Sequence, residues 1–148
     1  WSRTLGRGVG RQPAAGQLIG ANACLDYGYA VLRGHLMRAV LAAGLAPALG
    51  VFHRGRGNAF ALADDLIEPF RPAIDEVALP LPATASPSDR EVKQLLVAAA
   101  SQRFDVDGHG IPAVAEALAQ SFGRYIEGDI DRLQVASWQG PSRVGMGD

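Results

Sequence analysis

Apolar side chains recur at helical spacing along most of this chain, which predicts a mainly α-helical fold with at most short strands. The segment from about Ala21 to Ala43 is predicted to be one long helix, because it is rich in alanine and leucine and Gly44 follows where a left-handed residue often ends a helix. Hydrophobic residues lie almost all round this helix, so we expect it to be central and buried. Further helices are predicted from Phe60, from Ser86 or Ser88 to about Gln102, and from about Pro112 to Glu127.

A histidine and two arginines follow a short apolar run near the middle of the chain. The run Ala48–Phe52 predicts a buried strand or extended segment, which would deliver His53 to its end. Arg54 and Arg56 then lie in a basic loop punctuated by glycines.

Three carboxylates follow this histidine in a segment with helical spacing. Asp64 and Glu68 are four positions apart and Asp65 and Glu68 are three apart, so one helical face can carry them. Carboxylates beside an imidazole outline a metal site, and this ligand set suits Mg²⁺ or Mn²⁺ better than zinc. A structural interpretation stays open: the aspartates would complement a helix dipole, Glu68 would be a solvated acid and His53 a hydrogen-bonded structural residue.

Proline and glycine predict breaks after this acidic segment. Pro69 and Pro72 should interrupt the helix, which would resume at Ala73. Farther on, a second possible group of metal-type ligands occurs in a glycine-containing stretch whose alternation favours a short hairpin: Asp105, Asp107 and His109.

Four polar residues interrupt the long helix at i, i+4, i+7 and i+11, and they form one polar stripe: Asn22, Asp26, Tyr29 and Arg33. Because buried polar groups need hydrogen-bond partners, the stripe predicts a structural network or the wall of a site. We expect Arg33 to reach the cluster of carboxylates and hold it in position.

Two motifs carry a resemblance to a known family. They are G-x-x-H at Gly50 to His53 and LADDL-x-EPFRP at Leu62 to Pro72. At this spacing they resemble the C-terminal helical domain of the CRISPR-associated spacer-integration endonuclease, the "Cas-one" protein, particularly its type II form. The resemblance spans about Ile19 to Leu133 and includes LIGANACLDYGYAVLRGHLMRAVLAAGLAPALGVFH and ALAQSFGRYIEG.

The resemblance implies a metal-dependent DNA endonuclease or integrase of CRISPR adaptation, which joins DNA 3′ ends to the CRISPR repeat by phosphodiester transfer. The family's metal ligands correspond to His53 and Glu68, with Asp65 as a weaker ligand or an orienting residue, so the implied catalytic residues are these three. The implied cofactor is Mg²⁺ or Mn²⁺. The implied partners are double-stranded DNA, a second copy in a homodimer, and a small ferredoxin-like CRISPR-associated subunit.

The chain departs from the family pattern at its start. The family's first metal-binding glutamate lies ahead of the long helix, whereas no acid occurs between Trp1 and Ala23. The chain begins with Trp1 and lacks the family's N-terminal β-rich domain, so we expect a fragment that is inactive alone. The family also has alanine at Gly34 and asparagine at Asp26. A non-catalytic helical DNA-binding or subunit-contact module and a metal-dependent DNA-repair nuclease remain as alternatives.

Charge is distributed unevenly along the chain. Residues 1–58 contain seven arginines and one acid, and residues 59–148 contain seven basic residues and fourteen acids, which gives about +6 and −7. This asymmetry predicts a surface for DNA phosphates on the early segment. The candidate DNA-binding residues are Arg33, Arg54, Arg56 and Arg71.

Length and composition indicate the number of domains, the role of the cysteine and the location of the chain. A chain of 148 residues with 48% hydrophobic content suits one core, and we divide it into a basic Gly/Arg-rich lead-in (1–20), a helical catalytic domain (21–135) and a flexible tail (136–148) in which Trp138 docks. The single cysteine, Cys24, excludes a disulfide framework and is expected to fill the core. Apolar runs of about 18 residues and an export signal are both missing, so we expect a cytoplasmic protein without a membrane partner.

Overall fold

The computed structural model describes residues 19–53, 55 and 57–140. Within them the chain forms five α-helices and one 3₁₀ turn: α1 (Ala21–Ala42), α2 (Ala61–Leu66), the 3₁₀ turn (Glu68–Phe70), α3 (Arg71–Ala78), α4 (Arg90–Ala99) and α5 (Ile111–Ile126). The β-type pairing in this part of the chain is one isolated antiparallel bridge between Arg103 and Gly110. The prediction of a mainly α-helical fold is confirmed.

Helix α1 is the centre of the domain, because it packs against each of the other four α-helices. Leu32, Leu36 and Val40 on this helix are completely buried, and Cys24 fills the core beside them as predicted. Gly44 adopts a φ of 71° just beyond the helix end, as expected for a glycine that terminates a helix.

Helix α1 is central, as expected, but it is not buried around its whole circumference. Residues spaced four apart line an exposed face: Asn22, Asp26, Ala30, Gly34 and Arg38. These side chains are polar or small, so leaving them in water costs little.

Helix α2 ends earlier than the helical spacing predicted. It stops at Leu66, and Pro69 lies in the 3₁₀ turn that follows. The predicted break is therefore confirmed, although the helix resumes at Arg71 instead of Ala73. Pro72 fits in the first turn of α3 because no helical partner is needed there for a backbone N–H. Since Glu68 lies beyond α2, the face proposed for it and the two aspartates is not part of one continuous helix.

The run Ala48–Phe52 is neither a strand nor buried, so this prediction was wrong. It forms turns and bends, and Leu49 and Phe52 are 73% and 85% exposed. The physical reason is that a carboxylate, described below, binds the backbone N–H groups at the end of this run, so a neighbouring strand is not required.

Helix α4 also differs from its predicted limits. It begins at Arg90 after Asp89 and ends at Ala99, whereas Ser86 and Ser88 form a turn ahead of it in which the Ser88 N–H donates to Ser86 Oγ at 3.2 Å. Helix α5 lies within one residue of its predicted limits.

The segment between α4 and α5 is the predicted hairpin. The Phe104 N–H donates to the His109 carbonyl at 2.8 Å, and the Ile111 N–H donates to the Gln102 carbonyl at 2.9 Å. Phe104 is buried and its ring lies 4.8 Å from that of Phe70, so the hairpin is anchored in the core.

Trp138 docks on the domain, as predicted. Its ring centroid lies 5.7 Å from that of Phe104, and its indole N–H donates to Glu76 at 3.1 Å. Residues 1–18 of the predicted lead-in (1–20) and residues 141–148 of the predicted tail (136–148) lie outside the described residues.

Candidate metal centre

Asp65 binds the loop that carries His53. Its Oδ2 accepts the backbone N–H groups of Val51 at 2.5 Å and Phe52 at 3.0 Å. Its Oδ1 accepts the backbone N–H of His53 at 3.1 Å and lies 2.5 Å from the Nδ1 atom of the same residue. The Asp65 side chain is only 4% exposed, whereas the His53 side chain is 52% exposed. The imidazole is thus held from the protein side and is open on its other side.

These hydrogen bonds keep Asp65 ionised. Burial alone would raise the pKa of this carboxyl group, but hydrogen bonds from the His53 ring and from the three backbone N–H groups outweigh burial and lower it below the ordinary value of 3.8. Two carboxylate oxygens that accept four hydrogen bonds have little capacity left for a metal ion. In this geometry Asp65 contacts the His53 ring at Nδ1, so His53 Nε2 is the ring nitrogen that remains available to bind a ligand.

Asp64 is directed to a different partner. Arg33 on α1 places Nε at 2.5 Å from Asp64 Oδ1 and Nη2 at 3.2 Å from Oδ2, while Asn58 Nδ2 donates to Oδ2 at 2.6 Å. The prediction that Arg33 reaches the carboxylates is confirmed for Asp64. Burial would raise the pKa of Asp64, yet the bonds and charge supplied by Arg33 and the bond from Asn58 lower it overall.

Asn58 is a residue that the sequence reasoning missed. Its Oδ1 accepts the backbone N–H of Phe60 at 3.0 Å, and its amide nitrogen binds Asp64. An asparagine whose side chain binds the backbone N–H two residues later is a known turn-forming signal, so the pattern Asn-x-Phe was available in the sequence. Asn58 and Phe60 also line a cleft of about 530 Å³ together with Arg33, Gly57 and Ala59.

Glu68 has yet another partner. It is exposed in the 3₁₀ turn, and its Oε1 accepts a hydrogen bond of 2.9 Å from Arg71 Nη1. Within the described residues, each of the three acids of this segment therefore has its own basic partner: His53 pairs with Asp65, Arg33 with Asp64, and Arg71 with Glu68. The assignment of His53, Asp65 and Glu68 as catalytic residues and of His53 and Glu68 as metal ligands stays a prediction.

His53 and Glu68 each carry a donor atom of a type that a hard divalent ion accepts. Both side chains are solvent-exposed, and neither His53 Nε2 nor Glu68 Oε2 has a hydrogen bond within the described residues. One imidazole nitrogen and one carboxylate oxygen, completed by water, suit Mg²⁺ or Mn²⁺.

A separate group lies in the hairpin between α4 and α5. Within the described part of the chain, it is the one set of three metal-type ligand atoms that all lie within 4.8 Å of one another: Asp105, Asp107 and His109. Asp105 accepts the backbone N–H of His109 at 2.8 Å and lies 2.8 Å from its Nδ1. These bonds close the hairpin, which accounts for two of the three residues structurally.

The arginines proposed to bind DNA have different surroundings. Arg33 directs its donors to Asp64, Asn58 and the Met37 sulfur. Arg54 and Arg56 lie outside the described residues. The DNA-binding assignment of these arginines and of Arg71 stays a prediction.

Among the helices described, none combines the length and hydropathy needed to cross a membrane.

Fold and site together define a helical domain with a candidate divalent-metal centre. Residues 15–93 match the family described as CRISPR associated protein Cas1, and the chain belongs to this family.

Three relatives illustrate the similarity. The CRISPR-associated endonuclease Cas1 of Neisseria meningitidis serogroup C (strain 8013) is 56% identical over 54 residues, which cover 36% of this chain and 18% of the relative. A CRISPR-associated endonuclease Cas1 of Pyrobaculum aerophilum is 34% identical over 93 residues, or 60% of this chain and 30% of the relative. A Cas4 exonuclease/Cas1 endonuclease fusion of Rhodospirillum rubrum is 51% identical over 53 residues, or 36% of this chain and 9% of the relative. The chain thus spans less than a third of the length of these relatives.

Proposed function

We propose that this chain is the metal-binding part of a CRISPR-adaptation endonuclease that joins DNA 3′ ends to a CRISPR repeat by phosphodiester transfer. The observation that carries the proposal is the bond between Asp65 and His53, which leaves an oriented imidazole exposed in a chain of the Cas1 family. The relatives are named endonucleases, which supports the same class of reaction.

His53 Nε2 and Glu68 would hold the divalent ion. When bound, Mg²⁺ or Mn²⁺ would polarise a phosphoryl oxygen of DNA and stabilise the leaving oxygen. Asp65 keeps the His53 ring in one tautomer and orientation, because its carboxylate binds Nδ1 and the backbone of the same residue. Arg33 forms no hydrogen bond with His53 or Glu68 in the described part of the chain and would act indirectly. It binds Asp64 and thereby holds the short helix α2, which also carries Asp65.

DNA and protein partners are also part of the proposal. Arg54 and Arg56 follow the candidate ligand His53 directly in the sequence and would meet backbone phosphates near the metal centre. The proposed partners are double-stranded DNA, a second copy in a homodimer and a small ferredoxin-like CRISPR-associated subunit; the endonuclease names of the relatives support the first of these.

A second candidate is a non-catalytic DNA-binding or subunit-contact module of the same family. It is favoured by one observation: the described residues form no group of three metal-type ligands at His53 and Glu68. An ion held by two protein ligands keeps most of its coordination as water and binds weakly.

A branched DNA substrate with Mn²⁺ tests these alternatives. We would compare this chain with a chimera in which the N-terminal part of the Neisseria meningitidis relative precedes it. The expected result is strand transfer by the chimera and none by the chain alone. Hydrolysis of the branched DNA without joining would favour a repair nuclease, and DNA binding without any reaction would favour the non-catalytic module.

Matched variants of the chimera locate the site. His53→Ala and Glu68→Ala should abolish transfer, whereas the exposed Glu116→Ala should leave it unchanged. Full activity in His53→Ala and Glu68→Ala would show that the site lies elsewhere. Replacement of Arg54 and Arg56 together with alanine should weaken DNA binding and reduce its dependence on salt concentration by about one logarithmic unit per lost phosphate contact.

A further inference from the structure

Arg71 lies between the candidate ligand Glu68 and an aromatic residue of the central helix. Its Nη1 donates to Glu68 Oε1 at 2.9 Å, and its guanidinium carbon lies 4.5 Å from the centroid of the Tyr29 ring. A guanidinium over an aromatic face is attracted by the ring and loses rotational freedom. One side chain therefore connects the 3₁₀ turn that carries Glu68 to α1.

Tyr29 is itself fixed. Its hydroxyl group donates a short hydrogen bond to Asp75 on α3. Burial, together with the hydrogen bond and charge of Asp75, raises the pKa of Tyr29 to about 12, so the hydroxyl keeps its proton at neutral pH. The ring that supports Arg71 is thus held between α1 and α3, and its position follows from the packing of these two helices.

The contact between Arg71 and Glu68 uses only one carboxylate oxygen. Glu68 Oε1 accepts a hydrogen bond from Arg71, and Glu68 Oε2 has no hydrogen bond among the described residues. We propose that Arg71, supported by the ring of Tyr29, is a positioning residue that holds Oε1 of Glu68 and so presents Oε2 to a divalent cation. This inference rests on the proposed function, because it takes Glu68 as a metal ligand.

Charge and positioning predict opposite effects when Arg71 is removed. Loss of a positive charge next to Glu68 would by itself favour binding of a cation. Loss of a residue that orients a ligand weakens binding, typically by about 10- to 100-fold. The sign of the change in Mn²⁺ affinity therefore separates the two effects.

The first measurement needs no metal. In the metal-free chain, the NMR signals of the Arg71 side chain should be displaced by the ring current of Tyr29, and this displacement should disappear in Tyr29→Leu. Arg71 signals at the position of a free arginine in the wild-type chain would overturn the proposal.

The second measurement is the dissociation constant for Mn²⁺, followed through the paramagnetic broadening of the NMR signals around His53. Arg71→Ala and Tyr29→Leu should raise this constant at least about tenfold. Arg71→Lys should also bind Mn²⁺ more weakly than wild type, because an ammonium group keeps the charge but cannot stack and bond as a planar guanidinium does. Arg90→Ala removes an exposed arginine from the start of α4 and should leave the constant unchanged.

The outcomes distinguish this proposal from the proposed function. If Glu68→Ala weakens Mn²⁺ binding and Arg71→Ala does not, the positioning role is wrong and the metal centre stands. If Glu68→Ala and the wild type bind Mn²⁺ equally, the metal centre is wrong and the positioning role falls with it. Wild-type affinity in Arg71→Lys would also overturn the role of the stacked guanidinium. Equal thermal unfolding of Arg71→Ala and wild type would show that the loss of affinity is not a loss of fold.

Discussion

Asp65 holds both the ring and the backbone of His53, a residue twelve positions earlier in the chain, through contacts of 2.5 and 3.1 Å from one carboxylate oxygen. The other oxygen binds the two preceding N–H groups. A single buried side chain therefore determines where the candidate ligand lies and which of its nitrogens is free.

Replacement of Asp65 by asparagine should release this loop. An amide has one acceptor oxygen and no charge, so it cannot accept the four hydrogen bonds that the carboxylate accepts. We expect the free energy of unfolding to fall by about 1 to 3 kcal/mol and the His53 ring signals to move toward those of a free histidine. Urea unfolding and NMR measure the two effects, and the exposed Asp107→Asn is the control. Unchanged His53 signals in Asp65→Asn would contradict the proposed orienting role.

Replacement of Arg33 by alanine should destabilise the domain through Asp64. The Asp64 side chain is 12% exposed and would lose its charged partner while remaining partly desolvated. The expected loss is about 1 to 3 kcal/mol, and most of it should be recovered when Asp64→Asn is added. Arg38→Ala on the exposed face of α1 should change stability by less than about 0.5 kcal/mol. Equal losses at positions 33 and 38 would show that the Arg33 contact contributes nothing specific.

The stability of the domain should decrease in acid. Asp64 and Asp65 both have pKa values below the ordinary value of 3.8 in the folded chain, so at pH values near 4 the unfolded chain binds more protons. Their contribution is present above the unfolded pKa and is lost as the pH falls through the folded pKa. Urea midpoints between pH 7 and 2 should show this loss, and the pH dependence should be weaker in Asp64→Asn and in Asp65→Asn. Midpoints independent of pH in wild type would contradict the assigned directions.

Substitution of Gly50 by alanine should disturb the same loop by steric means. A Cβ atom there would lie 2.4 Å from the His53 carbonyl oxygen, 2.8 Å from the Ala61 Cβ and 3.1 Å from Asp65 Oδ2. Backbone must move to relieve such contacts, so the Asp65 bonds to the loop should weaken. Gly57→Ala has open space and is the matched control. Amide hydrogen exchange of residues 51–53 should accelerate in Gly50→Ala and stay unchanged in Gly57→Ala.

Alanine substitutions at two glycines of α1 should change the stability of the chain in opposite directions. A Cβ at Gly28 would lie 2.5 Å from Ile74 Cγ2, whereas a Cβ at Gly34 would meet nothing within 4 Å. Gly34→Ala should therefore stabilise the chain by up to about 1 kcal/mol through helix propensity. Gly28→Ala should destabilise it, because Ile74 is completely buried and has little space to move. Thermal unfolding gives both signs, and stabilisation by Gly28→Ala would show that α1 and α3 separate readily.

The long helices were predictable because their periodicity extends over many residues. Helix α1 and helix α5 have 22 and 16 residues, and local pattern determines them. The run that ends at Phe52 was misread, because its apolar side chains suggested burial, whereas its position is fixed by one carboxylate from another segment.

The partners of the carboxylates were only partly predictable. A charged residue on an apolar helix needs a counter-charge, and this argument correctly brought Arg33 to the acidic segment. Which acid it meets depends on the direction in which each side chain leaves α2, and the neighbours Asp64 and Asp65 leave it toward different partners. The pairing of Glu68 with Arg71 was not predicted, because a break in the helix was expected between Pro69 and Ala73, whereas the 3₁₀ turn and the start of α3 bring the two side chains together.

Helix α2 has only six residues, and this length has a consequence for how the domain opens. Isolated helices shorter than about 12 residues are marginal in water, so α2 exists because its side chains are buried against α1. Its amide hydrogens can then exchange with solvent only when the contact with α1 is broken, which couples their protection to that of the core. We therefore expect the candidate metal centre and the hydrophobic core to unfold together, so that destabilising a core residue such as Leu36 should also disrupt the centre although none of its own side chains is altered.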